Sequence, residues 1–193
     1  MMGAMPEGRY EGPPPNFYRP RESERGTYTE KKFGDEMTAV WYFGNLPKDA
    51  LVTHVTLIPY RRDKVVLAWR NGVLSMPEGD VAEGESVDQA IGRIAALQTG
   101  IADATVVPLG HFRVLASARS TTRPAGTITY QALFGLEVKE IADFPGDQSY
   151  ERRIVLQREL NEILRTSHVE HRLEYTHALD GWLIERLKAQ QTR

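Results

Sequence analysis

The stretch LSMPEGDVAEGESVDQAIGRIAALQTGI, Leu74 to Ile101, decides how the rest of the chain is read. It begins as a glycine- and acid-rich loop from Met76 to Glu85 and then turns helical. Ser86 is placed to cap the helix, because its hydroxyl can accept from an orphan amide of the first turn. Asp88 lies in that turn, where the helix dipole favours negative charge. Val87, Ala90, Ile91, Ile94, Ala95 and Leu97 recur at helical period and predict a buried stripe. Gly100 supplies the stop, since glycine takes the left-handed conformation that closes a last turn.

These residues resemble the Nudix hydrolase superfamily. Its signature is glycine, five residues, glutamate, seven residues, Arg-Glu, an aliphatic, any residue, Glu-Glu, any residue, glycine, an aliphatic. Gly79 is followed after five residues by Glu85 and after seven more by Arg93, with Gly100 and Ile101 in register. The family's usual Pro-Gly-Gly ahead of the loop is Pro77-Glu78-Gly79 here, and its three helix carboxylates are Ile94, Leu97 and Gln98. Positions i, i+3 and i+4 share one helix face. The resemblance implies that in active relatives this face presents carboxylates to magnesium. Magnesium is a hard cation that needs oxygen ligands and charge compensation. Two hydrocarbons and a neutral amide offer little of either, so the expectation is a degenerate signature with no metal ligand on the helix. Glu78, Asp80, Glu83 and Glu85 remain the acids from which a cation site could be rebuilt, against the plainer reading of a solvated acidic turn.

Composition narrows the class. With 193 residues the chain can bury a core, and a formal net charge of −2 gives no case for a dedicated nucleic-acid binder. The sequence has no cysteine, hence no disulfide framework and no thiolate nucleophile or ligand, which suits a cytoplasmic protein. No apolar run approaches the ~18 residues of a membrane span, and no signal-peptide core is evident.

Residues 1–34, with Pro13-Pro14-Pro15 and mixed charges, read as an N-terminal arm ahead of a domain over residues 35–193. Two readings stand for it: a tethered tail, or an arm exchanged in a homodimer and anchored by Tyr10, Phe17 and Tyr18. Strands are expected at residues 37–46, 52–60, 64–70, 104–117 and 127–138, from their β-branched and aromatic content. Helices are expected over Tyr150–Arg165 and Leu173–Ala189 from apolar spacing. Val114, Leu115, Tyr130, Leu133 and Leu136 are core candidates.

Binding candidates are Arg70 at a strand end, together with Gly79, Glu85 and Arg93. Arg119 and Arg123 join them from the Ser/Thr-rich turn ARSTTRPAG, where two cations and hydroxyls can meet an anion. His111 has a side-chain pKa suited to a general base, but a lone histidine in a strand is ordinarily structural. Glu140 and Glu151 fall around the region where some Nudix enzymes carry an extra carboxylate. His168, His171 and His177 lack the paired spacing of a zinc site and are expected at the surface.

The fold class expected is α/β: a mixed sheet with the signature helix on one side and a C-terminal helical extension on the other. The function expected from the resemblance is binding of a nucleotide-like or nucleoside-diphosphate-linked ligand with little or no metal-dependent hydrolysis, and so no cofactor. The alternatives are a divergent hydrolase that uses magnesium through loop carboxylates, and a protein-interaction or oligomerisation module.

Overall fold

Runs of valine, isoleucine and aromatic residues fold as strands here, and glycine or acidic turns separate them. The computed structural model describes residues 31–33, 35–141, 144, 149–169 and 171–191. Among them are strands β1 (Lys31–Phe33), β2 (Met37–Phe43), β3 (Val52–Arg61), β4 (Lys64–Arg70), β5 (Val73–Ser75), β6 (Glu78–Asp80), β7 (Ala104–Ala116), β8 (Ile128–Val138) and β9 (Glu151–Leu156). The helices are α1 (Val87–Thr99), α2 (Leu160–Thr166, after a 3₁₀ turn over Gln157–Glu159) and α3 (Arg172–Gln191).

The strands form one mixed sheet in the order β1-β2-β7-β8-β3-β4-β5. β3 and β8 run parallel at its centre, while β7 is antiparallel to both β2 and β8. β3 meets β4 only beside their turn, at Tyr60↔Val65 and Arg61↔Lys64. Its N-terminal half pairs instead with β6, and β9 takes the second edge of β4.

Alternation along the strands sends side chains to two cores. On one face Val55, Leu57, Ala132, Phe134 and Leu136 pack against Ala90, Ile91, Ile94 and Ala95 of α1. On the other, Trp41, Ile58, Phe112 and Leu133 pack against Leu160 and Leu164 of α2 and Tyr175, Leu179 and Trp182 of α3. Each fully buried side chain of this size contributes roughly 1.5–3 kcal/mol of transfer free energy. Gly135 makes one of these contacts possible, since a Cβ there would come within 2.8 Å of the Trp182 ring. The architecture is the α/β/α sandwich expected, with the C-terminal helix closing the second face. No helix among the described residues is long and apolar enough to cross a membrane.

Three expectations are corrected. The segment expected as one helix over Tyr150–Arg165 is strand β9 as far as Leu156, and only Leu160–Thr166 is α-helical. Val155 and Ile154 pair with Val65 and Val66 along the open edge of β4, so a tertiary partner overrides a helical-looking local pattern. Leu97 is not part of the buried stripe of α1, being 43% exposed. The stripe is Ala90, Ile91, Ile94, Ala95 and Gln98, and Leu97 sits at its rim, ~100° round the helix from Gln98. Leu115 and Tyr130 are only half-buried, whereas Val114, Leu133 and Leu136 are core. The arm lies outside the described residues as far as residue 30. The last residues of that span, Lys31–Phe33, pair with β2.

Candidate functional site

The loop from β6 to α1 is held by its own side chains. Ser86 and Gln89 form a reciprocal capping box: the Gln89 amide donates to Ser86 Oγ at 3.2 Å, and the Ser86 amide donates to Gln89 Oε1 at 2.8 Å. At the other end Gly100 takes φ 71° and its amide returns to the carbonyls of Ala95 and Ala96. Arg93, one full helical step from the loop, donates Nε to Glu85 Oε1 and Nη2 to Glu85 Oε2, both at 2.8 Å. A further bond runs from Arg93 Nη2 to the Asp80 carbonyl at 2.8 Å, and the Ala82 amide donates to Glu85 Oε2 at 2.9 Å. The forked Arg93 contact, followed by the Ala82 amide, lowers the Glu85 carboxyl to about 2. Glu85 and Arg93 therefore spend their charge on one another and on the loop backbone.

The helix face that the signature would make acidic is apolar or committed. Ile94 is fully buried, and its Cδ1 and Cγ1 lie 3.4 Å from where a Cβ on Gly79 would stand. Gln98 is buried at 6% exposure and bonds both backbone groups of Glu78: its Nε2 donates to the carbonyl at 2.6 Å, and the Glu78 amide donates to its Oε1 at 3.1 Å. A carboxylate in that position could accept from the amide but would set a negative oxygen against the carbonyl. Leu97 faces outward with no polar atom to offer. These three positions do not fit a hard divalent cation, which needs several oxygens and negative charge. Among the described residues no three His, Cys, Asp or Glu side chains are grouped to hold a metal ion.

The loop acids point the other way. In β6, Gly79 faces α1, so Glu78 and Asp80 face the α3 side of the sheet, where His54 of β3 lies between them. His54 Nδ1 is 2.8 Å from Asp80 Oδ1, and its Nε2 is 3.7 Å from Glu78 Oε2. Burial alone would lower the imidazole pKa, but hydrogen bonding and attraction from the two carboxylates outweigh it and raise the group above its ordinary value. Beside this cluster opens a cleft of about 320 Å³ whose lining includes His54, Glu78, Gln131, His171 and Tyr175. A larger groove of about 750 Å³, at the opposite end of β3, is lined by Tyr60, Glu137 and Leu187 and contains no signature residue.

The structure gathers Gly79, Glu85 and Arg93 but engages the other candidate cations elsewhere. Arg70 is exposed, 5.1 Å from the Tyr150 ring, and donates to its hydroxyl at 3.3 Å. Arg119 pairs with Asp35 at 2.6 Å, and Arg123 donates to Thr129 Oγ1 at 2.8 Å. His111 is buried between Tyr42 and Tyr130, and burial lowers its pKa to about 4, so it is a neutral packing group at physiological pH. Glu151 pairs with Arg153 at 3.4 Å, and Glu140 is exposed beyond β8. Of the histidines expected at the surface, His168 is exposed, while His171 and His177 are half-buried.

His54 and Gln131 escaped the sequence reading. Each stands among several polar residues of its own strand, and only strand pairing brings them together. The one available signal was the Glu78-Gly79-Asp80 pattern, whose period of two directs both acids to the face opposite Gly79.

No protein-family model and no curated protein matches this sequence. Solved structures do match its fold. A mutant form of the Bacillus subtilis pyrophosphohydrolase BsRppH superposes with a TM-score of 0.54 at 17% identity, covering 75% of this chain and 93% of that one. The NUDIX domain of Shewanella oneidensis NrtR, complexed with ADP ribose, superposes with a TM-score of 0.51 at 18% identity, covering 72% and 94%. The chain has the Nudix fold.

Proposed function

We propose that this protein is a non-hydrolytic Nudix-fold module that binds a nucleotide-like ligand. The observation that carries the reading is the division within the signature itself. The scaffold pair Glu85 and Arg93 is fully formed, while the three positions where the family carries carboxylates hold a buried isoleucine, an exposed leucine and a glutamine closed on the Glu78 backbone. Catalysis by metal-assisted attack on a diphosphate requires a cation held where water and phosphate meet. Nothing at residues 94, 97 and 98 supplies its ligands. The alternative in which loop acids rebuild the site is disfavoured, because Glu78 and Asp80 are turned to His54 and Glu85 is engaged by Arg93. That a neighbour in fold is a NUDIX domain complexed with ADP ribose supports the ligand class.

The decisive assay incubates the purified chain with magnesium or manganese and ADP-ribose, dinucleotides or nucleoside triphosphates, then measures released phosphate and nucleoside monophosphate. No metal-dependent release is expected. Turnover at ~1 s⁻¹ or faster, an ordinary enzyme rate, would overturn the reading.

A further inference from the structure

The cleft on the α3 side of β6 has a composition that selects among nucleotide-like ligands. Strand register builds its floor: His54 pairs with Asp80 of β6 on one side and with Gln131 of β8 on the other. Phe112 of β7 is the next residue along the same row. Glu78 stands one pleat away, opposite Thr56, with its carboxylate 43% exposed at the cleft. The wall comes from the start of α3, where the His171 ring lies 4.5 Å from Phe112 and 6.3 Å from Tyr175.

The charges present argue against phosphate. Among the described residues no arginine or lysine lines the cleft. Of the histidines that line it, His54, His168 and His171, His54 is already engaged by Asp80 and Glu78. A diphosphate placed here would lose its hydration beside the Glu78 carboxylate with no guanidinium or ammonium to compensate it, which is unfavourable. A metal bridge from residues 94, 97 and 98 would not relieve that repulsion, since those positions do not fit a cation.

The polar groups on offer match an uncharged ring. Gln131 presents a donor and an acceptor, and among the described residues its side chain makes no hydrogen bond. The Glu78 carboxylate accepts from N–H groups. A planar heterocycle carrying N–H donors beside a carbonyl would satisfy both, with its face toward the rings of His171 and Tyr175. A volume of about 320 Å³ suits one nucleoside and is too small for a dinucleotide. Resting on the reading that this chain binds a nucleotide-like ligand without hydrolysing it, we propose that the cleft binds an uncharged nucleobase or nucleoside. Glu78 and Gln131 read its hydrogen-bonding edge, and phosphate groups lower its affinity.

Titration of the full chain with guanosine, adenosine, cytidine and uridine, and with each 5′-diphosphate, by calorimetry with and without magnesium, tests this. At least one nucleoside is expected to bind, and its diphosphate to bind roughly tenfold more weakly, the scale of one close like-charge contact. Gln131→Ala should weaken the nucleoside by about tenfold, the loss of one or two hydrogen bonds. Amide shift perturbations in the parent protein should centre on His54, Gln131 and Tyr175, a readout independent of how any variant folds. A diphosphate binding more tightly than its nucleoside would overturn this inference and leave the binding-module reading standing. Shifts centred on Glu85 and Arg93 would do the same. Binding of neither nucleosides nor nucleotides would overturn both.

Discussion

The two sides of β6 are only a strand's thickness apart and differ completely in chemistry. On the α1 side Gly79 meets the hydrocarbon of Ile94, and Gln98 is bonded to both backbone groups of Glu78. On the α3 side Glu78 and Asp80 hold His54 beside an open cleft. The difference teaches that replacing the family's helix carboxylates does more than delete ligands. It makes the contact between Gly79 and Ile94 a packed core, while the side chains of Glu78 and Asp80 lie on the opposite face.

The substitution expected to break this contrast most forcefully is Ile94→Glu. The side chain is fully buried, and a carboxylate there has no partner, so the cost is on the order of 4 kcal/mol or more. Guanidinium unfolding measures it, and a loss below about 1 kcal/mol would mean that the α1 side is an open site after all. Gln98→Glu comes next. It keeps the shape but loses the amide donor and sets negative charge against the Glu78 carbonyl, costing about 2 kcal/mol at neutral pH. Because Gln98 fixes β6 from behind, amide exchange should also quicken at Glu78 to Asp80. Unchanged exchange would show that the carboxamide holds nothing.

Acid unfolding sharpens the comparison from the loop side. Glu85 has a carboxyl lowered from 4.5 to about 2 in the folded chain. Its contribution to stability is therefore complete above about pH 4.5 and is lost as pH falls toward 2. The melting-temperature gap between the parent and Arg93→Met should be constant above about pH 4.5 and shrink below it. A gap that ignores pH would assign the role of Arg93 to packing alone.

The smallest effect is expected at Leu97. Although it belongs to the same signature triplet as Ile94, it is 43% exposed, and Leu97→Glu should change stability by no more than about 0.5 kcal/mol. Equal costs for Leu97→Glu and Ile94→Glu would erase the distinction between core and rim. The pair also bears on any attempt to restore a hydrolase by writing three glutamates back into α1. Two of the three positions are buried, so such a variant is expected to unfold before it binds a cation.

Much of α1 was legible without tertiary information, because its determinants are local. Ser86 caps within its own turn, Gly100 closes the helix with its own φ, and the spacing from Glu85 to Arg93 sets up an ion pair eight residues apart. The sandwich class was legible for a related reason, since alternating strands and amphipathic helices must each bury a face. The segment from Tyr150 has a periodicity that suits a helix in isolation, yet it folds as a strand as far as Leu156. Its strand state is decided by the otherwise unpaired edge of β4, far away in the chain, where Trp69 pairs with Glu151 and Lys64 with Leu156. The buried stripe of α1 excludes Leu97 and includes Gln98, since period alone does not say where the covering sheet ends.

What the sequence by itself determined is therefore the frame: a loop, a capped helix, an arginine–glutamate clamp and the loss of carboxylates at residues 94, 97 and 98. These follow from groups within one or two helical turns, where chain connectivity guarantees proximity. What only the tertiary structure decided is the use of the remaining charge. His54, Glu78, Asp80 and Gln131 come from three strands, and their meeting depends on register between β3, β6 and β8. Shifting any one of them by a single residue would turn its side chains to the other face of the sheet. That dependence on pairing between distant segments is why the cleft could not be read from the linear chain.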